Sequence, residues 1–158
     1  MIPLEVWGLQ RDGRNHPCVW LRNDDRLLPV SVGICEADAI SAAIVKRDYG
    51  RPMTHDLICN LLAGLRANLT SVVIYKLENE IYYAHLNIEQ LNENGDVVQV
   101  LRVDSRPSDS IAIALRVGCP IFASQDVMDR GGQNFPVGMT DEESDSDNEP
   151  DDEPESDY

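Results

Sequence analysis

Residues 97–120 read VVQVLRVDSRPSDSIAIALRVGCP, and this stretch decides the class of fold. Val97 to Asp104 is rich in β-branched residues and predicts a strand. A helix is read as starting after Pro107, and the apolar run Ile111–Leu115 continues it. Gly118 then ends the helix as its C′ residue, with Pro120 beyond to bar continuation. A strand therefore passes into a helix through a junction that holds Asp104, Arg106 and Asp109. Ser105 or Ser108 is read as the helix cap, and Asp109 lies in the first turn, where the helix dipole favours an anion. Arg106 is expected to reach a carboxylate from another segment, Glu36 or Asp56.

The rest of the chain arranges itself around this unit. Upstream, SVVIYKL (71–77) and IYYAHLNIEQL (81–91) are β runs that join residues 97–104 in a three-strand meander. Asn94-Gly95 predicts a type I′ hairpin turn. Three earlier β runs, IPLEVWGL (2–9), PCVWLR (17–22) and RLLPVSVG (26–33), are separated by turn-rich segments. Next comes EADAISAAIVKR (36–47), a helix with Ala37, Ile40, Ala43 and Ile44 on one face, stopped by Gly50 and Pro52. Thr54 is read as the cap of a second helix, with Asp56 in its first turn and Ile58, Leu61, Leu62 and Leu65 as its buried stripe. After the third helix, PIFAS (120–124) is a last strand and QDVMDR (125–130) a short final segment. The order predicts an α+β fold with adjacent strands antiparallel: two antiparallel β-meanders, each followed by helices, in a single compact domain.

A chain of 158 residues with 42% hydrophobic content is enough for one such domain. Its net charge of −15 is unevenly spread. Eleven of the 28 acids fall between Asp141 and Asp157, which leaves 17 acids against all 13 bases, a net of −4. The expected organisation is a folded domain at 1–138 and a disordered acidic tail at 139–158, too polar to bury a core. A mildly acidic body is not the footprint of a protein that grips long duplex DNA by counterion release. Cys18, Cys35, Cys59 and Cys119 form no CxxC pair and read as small core hydrophobes. The beginning of the sequence lacks a basic segment leading into an apolar run, and no stretch approaches 18 apolar residues, so a cytoplasmic protein with no membrane partner is expected.

Three polar clusters stand at element junctions, where sites usually lie. They are Glu36 at the first helix, RPMTHDL (51–57), and DSRPSD (104–109). Capping and dipole compensation explain each residue singly, but not the near-copy of RPMTHD in RPSD. Arg-Pro before two helices would give two anion-receptive N-termini.

In order and spacing, LPVSVGICEADAI, RPMTHDL and VDSRPSDSIAIALR followed by PIF resemble the bifunctional nuclease family, also described as a DNase/RNase domain. The resemblance covers about residues 3–130. It implies a compact α+β domain and, from plant relatives, hydrolysis of DNA and RNA. Many relatives continue into a small helical UvrB/UvrC-like motif, where this chain carries its acidic tail. No settled catalytic set is carried over, so residue roles rest on the chemistry of phosphodiester cleavage. His55, Asp56 and Asp109 are the candidate catalytic residues, His55 acting as general acid or base. Glu36, Asp104 and Asp109 could supply oxygen ligands to Mg²⁺ or Mn²⁺. Arg51, Arg106 and Arg116 could hold substrate phosphate. His55 is expected to be partly exposed in a cleft, within about one water of a carboxylate of DSRPSD. The resulting expectation is a metal-assisted, sequence-nonspecific nuclease acting on small or single-stranded nucleic acid, with a homo-oligomer possible. The alternative is a non-enzymatic binding or regulatory module for an anionic ligand or a protein partner.

Overall fold

The computed structural model describes residues 1–134 apart from Arg14 and Asp25. The acidic tail and the boundary at residue 138 lie outside the described residues. Strands β1 (Ile2–Arg11), β2 (Pro17–Asn23) and β3 (Arg26–Ser31) come first, followed by helices α1 (Ile34–Ile44) and α2 (Thr54–Gly64). Then come β4 (Ala67–Glu78), β5 (Ile81–Leu91), β6 (Val97–Ser105) and helix α3 (Pro107–Val117). Strand β7 (Ile121–Ala123), helix α4 (Gln125–Gly131) and the short β8 (Gln133–Asn134) close the described chain.

The α+β class holds, but the expectation of two separate meanders is corrected. There is one eight-stranded sheet, in the order β6-β5-β4-β7-β1-β2-β3-β8. Strand β7 lies between the two meanders and fuses them. It pairs antiparallel to β1, Ile2 opposite Ala123, and parallel to β4, Val72 opposite Ile121. Antiparallel pairing throughout is thus also corrected. Since β4 and β6 run in the same direction, β6, α3 and β7 form a parallel crossover unit, which needs a helix to carry the chain back. A three-residue strand carries almost no periodic signal, so its place could not be read locally.

Burial explains why α3 sits where it does. Ile111, Ala112, Ile113 and Ala114 are at most 2% exposed. They share one core cluster with Val72 and Ile74 of β4 and Ala84 and Leu86 of β5. Gly118 ends α3 at φ +79, the left-handed position that glycine fills without a Cβ penalty. The stripe expected on α2 is corrected in part. Ile58 and Leu62 pack against the core, but Leu61 and Leu65 are 55% and 61% exposed. On α1 the buried residues are Ile40 and Ala42, and Ile44 is exposed. The type I′ turn also moves. At Asn94-Gly95 only Gly95 has positive φ, and Asn92 organises the loop by accepting the N–H groups of Asn94 and Asp96. Positive φ at two successive residues occurs instead at Asn79-Glu80, between β4 and β5. No described helix is long and apolar enough to cross a membrane.

Candidate functional site

Each of the first three helices places an acid at the same local position. Gly33, Met53 and Arg106 occupy the N-cap positions of α1, α2 and α3, so Glu36, Asp56 and Asp109 each stand at the third helical residue. There the unpaired N–H groups and the dipole favour a carboxylate. The caps differ from expectation. Thr54 begins α2 rather than capping it, and Asp56 reaches back to accept the Met53 N–H at 2.9 Å. At α3 the N-cap position belongs to Arg106, while Ser105 and Ser110 hydrogen-bond to each other through their hydroxyls. At α1 a Cβ on Gly33 would run into the folded-back Glu36 carboxylate, so glycine leaves it room.

These helix starts are stitched together by two arginines and a histidine. Arg106 donates from Nε to Asp109 Oδ2 at 2.8 Å and from Nη1 to Glu36 Oε1 at 2.8 Å. It thus reaches a carboxylate of another segment, as its position predicted, and that carboxylate is Glu36. His55 Nε2 and Asp109 Oδ1 are hydrogen-bonded at 3.2 Å, joining α2 to α3. Arg116, one helix length further along α3, donates from Nε to Asp56 Oδ1 at 2.6 Å. Its Nη1 donates to the carbonyls of Ala39 and Ala112.

Exposure separates the two arginines. The Arg116 side chain is 12% exposed and its donors serve three elements, so it is a strut. Arg116 also lines the cleft that His55 borders. Asp56 is likewise engaged, by Arg116 and by the Met53 N–H. Arg106 is 66% exposed and stands over the open side of the site. His55 is 12% exposed and borders an open cleft of about 630 Å³, together with Glu36, Arg106 and Asp109. The Glu36–Arg106 pair also borders a neighbouring hollow of about 410 Å³ that reaches Tyr82 and Ser108.

The electrostatics follow from these contacts. Hydrogen bonding to Arg116, then to the Met53 amide, holds the Asp56 carboxyl below its ordinary range. Burial pushes Asp109 up, but its bonds to Arg106 and His55 outweigh this and leave it lowered. Asp109 and Glu36 hold the Arg106 guanidinium above its ordinary range.

Two expected members stand elsewhere. Asp104 lies opposite His85 in the β5–β6 ladder and borders a separate hollow with Tyr75, His85 and Arg102. The Glu36–Asp104–Asp109 ligand set therefore does not assemble. Among the described residues no group of three or more His, Cys, Asp or Glu is placed to hold a metal. Arg51 is exposed and has no hydrogen-bond or ion-pair partner among the described residues. Reading the sequence missed Tyr49, which lines the cleft and lies under the Arg47 guanidinium at 6.0 Å. Its only local signal was the turn-rich DYG segment, which otherwise marks a helix end.

A family model described as the bifunctional nuclease domain matches residues 19–136. The chain belongs to this family. The match takes in the residues just described, from the α1 start through α3 to α4. Among relatives, the uncharacterized protein MT1877 of Mycobacterium tuberculosis is 39% identical over 125 residues, 78% of this chain and 71% of that protein. Bifunctional nuclease 1 of Arabidopsis thaliana is 28% identical over 109 residues, 67% of this chain and 33% of that protein. Bifunctional nuclease 2 of Oryza sativa is 31% identical over 108 residues, 66% of this chain and 32% of that protein. This chain thus spans about a third of the plant nucleases that it resembles.

Proposed function

We propose that the cleft hydrolyses phosphodiester bonds of nucleic acid without sequence preference, acting on small or single-stranded substrates. The observation that carries this reading is the His55–Asp109–Arg106 chain on the wall of an open cleft. Asp109 orients the imidazole by accepting from Nε2–H, which leaves Nδ1 to take a proton from an attacking water. The water oxygen bonds to phosphorus as its proton passes to His55, the P–O bond to the sugar oxygen breaks, and that oxygen leaves as a hydroxyl with a proton taken from solvent. Arg106, exposed and multiply hydrogen-bonding, can turn from Glu36 to the charge that develops on the phosphoryl oxygens. The mildly acidic body leaves short, unpaired strands as the fitting substrate, since long duplex needs a larger basic surface.

Mg²⁺ or Mn²⁺ enters this proposal with a reduced ligand set. Glu36 and Asp109 already share one cation, the Arg106 guanidinium. Two carboxylates suit a hard ion that keeps most of its waters, and do not suit a site built from protein ligands alone. When bound there, the ion would polarise the phosphoryl oxygens. The test is cleavage of single-stranded DNA and RNA by highly purified protein, with and without Mg²⁺ or Mn²⁺. His55→Ala should lower the rate by roughly 10²–10⁴-fold while changing stability by less than about 1 kcal/mol. A folded His55→Ala protein with full metal-dependent cleavage would sink this assignment. Absence of cleavage under every condition would leave the binding-module reading, in which Arg106 and the paired acids only hold the helices together.

A further inference from the structure

Strand β6 forms one edge of the sheet, and nothing among the described residues pairs with its outer side. This edge is nine residues long and contains no Lys and no Pro. Val97, Val98, Val100 and Val103 stand 50%, 59%, 71% and 42% exposed along it. A long apolar edge is a template for pairing with another chain, and proteins that keep such edges free blunt them with Lys, Pro or very short strands. The opposite edge strand, β8, is two residues long among the described residues.

The charges on β6 indicate which chain it pairs with. Arg102 and Asp104 are two residues apart, so they share one face of the strand. Across β5 they lie opposite Asn87 and His85, and neither makes a hydrogen bond or ion pair with another described side chain. Burial and Arg102 push His85 down, and Asp104 acts in the other sense, so both charges face this imidazole without bonding to it.

We propose that a second copy of this chain pairs antiparallel along β6, about a twofold axis at Val103. That axis sets Arg102 opposite the partner's Asp104, and Asp104 opposite the partner's Arg102. Residues directly opposite in an antiparallel ladder share a face at contact distance, so both charges find a partner at once. Moving the axis to Arg102 would set two guanidinium groups against each other. With the axis at Val103 the paired strand residues are Leu101–Ser105 of each copy, and Val97, Val98 and Val100 lie beyond this short ladder; moving the axis to Leu101 would pair all nine residues but leave Arg102 opposite Val100. The axis is perpendicular to the sheet, so both subunits keep their helices on the same side. Arg106 is three residues from Val103, within about 11 Å of chain, so the two clefts would flank the axis. The interface is argued from β6 alone and does not depend on nuclease activity.

Sedimentation velocity of the full chain across a range of concentrations tests this. The wild type should be a dimer. Arg102→Asp or Asp104→Arg should each raise the dimer Kd by about tenfold or more, because each reversal turns two attractive pairs repulsive. The double variant Arg102→Asp/Asp104→Arg should return to within about threefold of wild type, since it restores both pairs with signs exchanged. Val103→Lys, which sets two like charges against each other at the axis, should also weaken the dimer with an unchanged circular dichroism spectrum. A wild-type monomer at all concentrations overturns the proposal. So does a dimer indifferent to the single reversals, or one lost instead through Leu61→Glu on the exposed face of α2.

Discussion

The entries to α2 and α3 carry nearly the same words, RPMTHD and RPSD, and the fold uses them differently. At α3 the proline is the first helical residue and Arg106 holds the N-cap position, close enough to clasp Asp109 three residues on. At α2 two extra residues intervene. Met53 becomes the N-cap, Pro52 falls outside the helix, and Arg51 is left exposed without a partner among the described residues. Asp56 is neutralised instead by Arg116, sixty residues away at the other end of α3. A shift of two residues relative to the helix start carries the guanidinium out of reach of its own helix's acid. The same motif therefore yields a cleft wall in one place and, in the other, a side chain with no partner among the described residues. Resemblance between short motifs fixes residue types, and spacing to the first helical residue fixes what they touch.

The sharpest test of this contrast is to remove each arginine that the motifs suggest are equivalent. Arg116→Ala should destabilise the protein by about 2–3 kcal/mol, since it leaves Asp56 and two carbonyls without their donor in a partly buried setting. Arg51→Ala should stay within about 0.5 kcal/mol. Urea denaturation of both variants reads the difference, and equal losses would break the comparison.

A second test is acid. Asp56 and Asp109 have folded-state values below those of the unfolded chain. Their contribution is therefore fully present above the unfolded carboxylate value of about 4 and is lost as pH falls through the folded values. Asp56→Asn and Asp109→Asn should each flatten the acid limb of the stability profile below about pH 4. Melting temperature measured from pH 2 to 7 checks this, and a profile as steep as wild type would show that these pairs do not set it.

The smallest effects concern how the two helices begin and end. Thr54→Ala should change stability by less than about 0.5 kcal/mol, because Met53 holds the cap position and Asp56 satisfies its amide. Gly118→Ala should cost about 1 kcal/mol, since its φ of +79 penalises any Cβ although nothing lies within 4 Å to clash. After α2 the left-handed residue is Arg66, at φ +53, and Arg66→Gly should gain up to about 1 kcal/mol. Thermal melts of the three variants suffice.

The amino-acid sequence by itself determined the order and ends of the elements. Those signals are local: Pro107 and Gly118 bracket α3, β-branched runs mark β4 to β6, and acids fall in the first turns of three helices because the dipole there favours them. The residue types of the cleft were legible for the same reason. Only the tertiary structure decided that β7 joins two meanders into one sheet, that Asp104 borders a different hollow from Asp109, and that Arg116 rather than Arg51 serves Asp56. His55 and Asp109 are 54 residues apart, and Arg116 and Asp56 are 60 apart. Such pairs are fixed by which faces of distant elements the common core buries, and no local propensity encodes that.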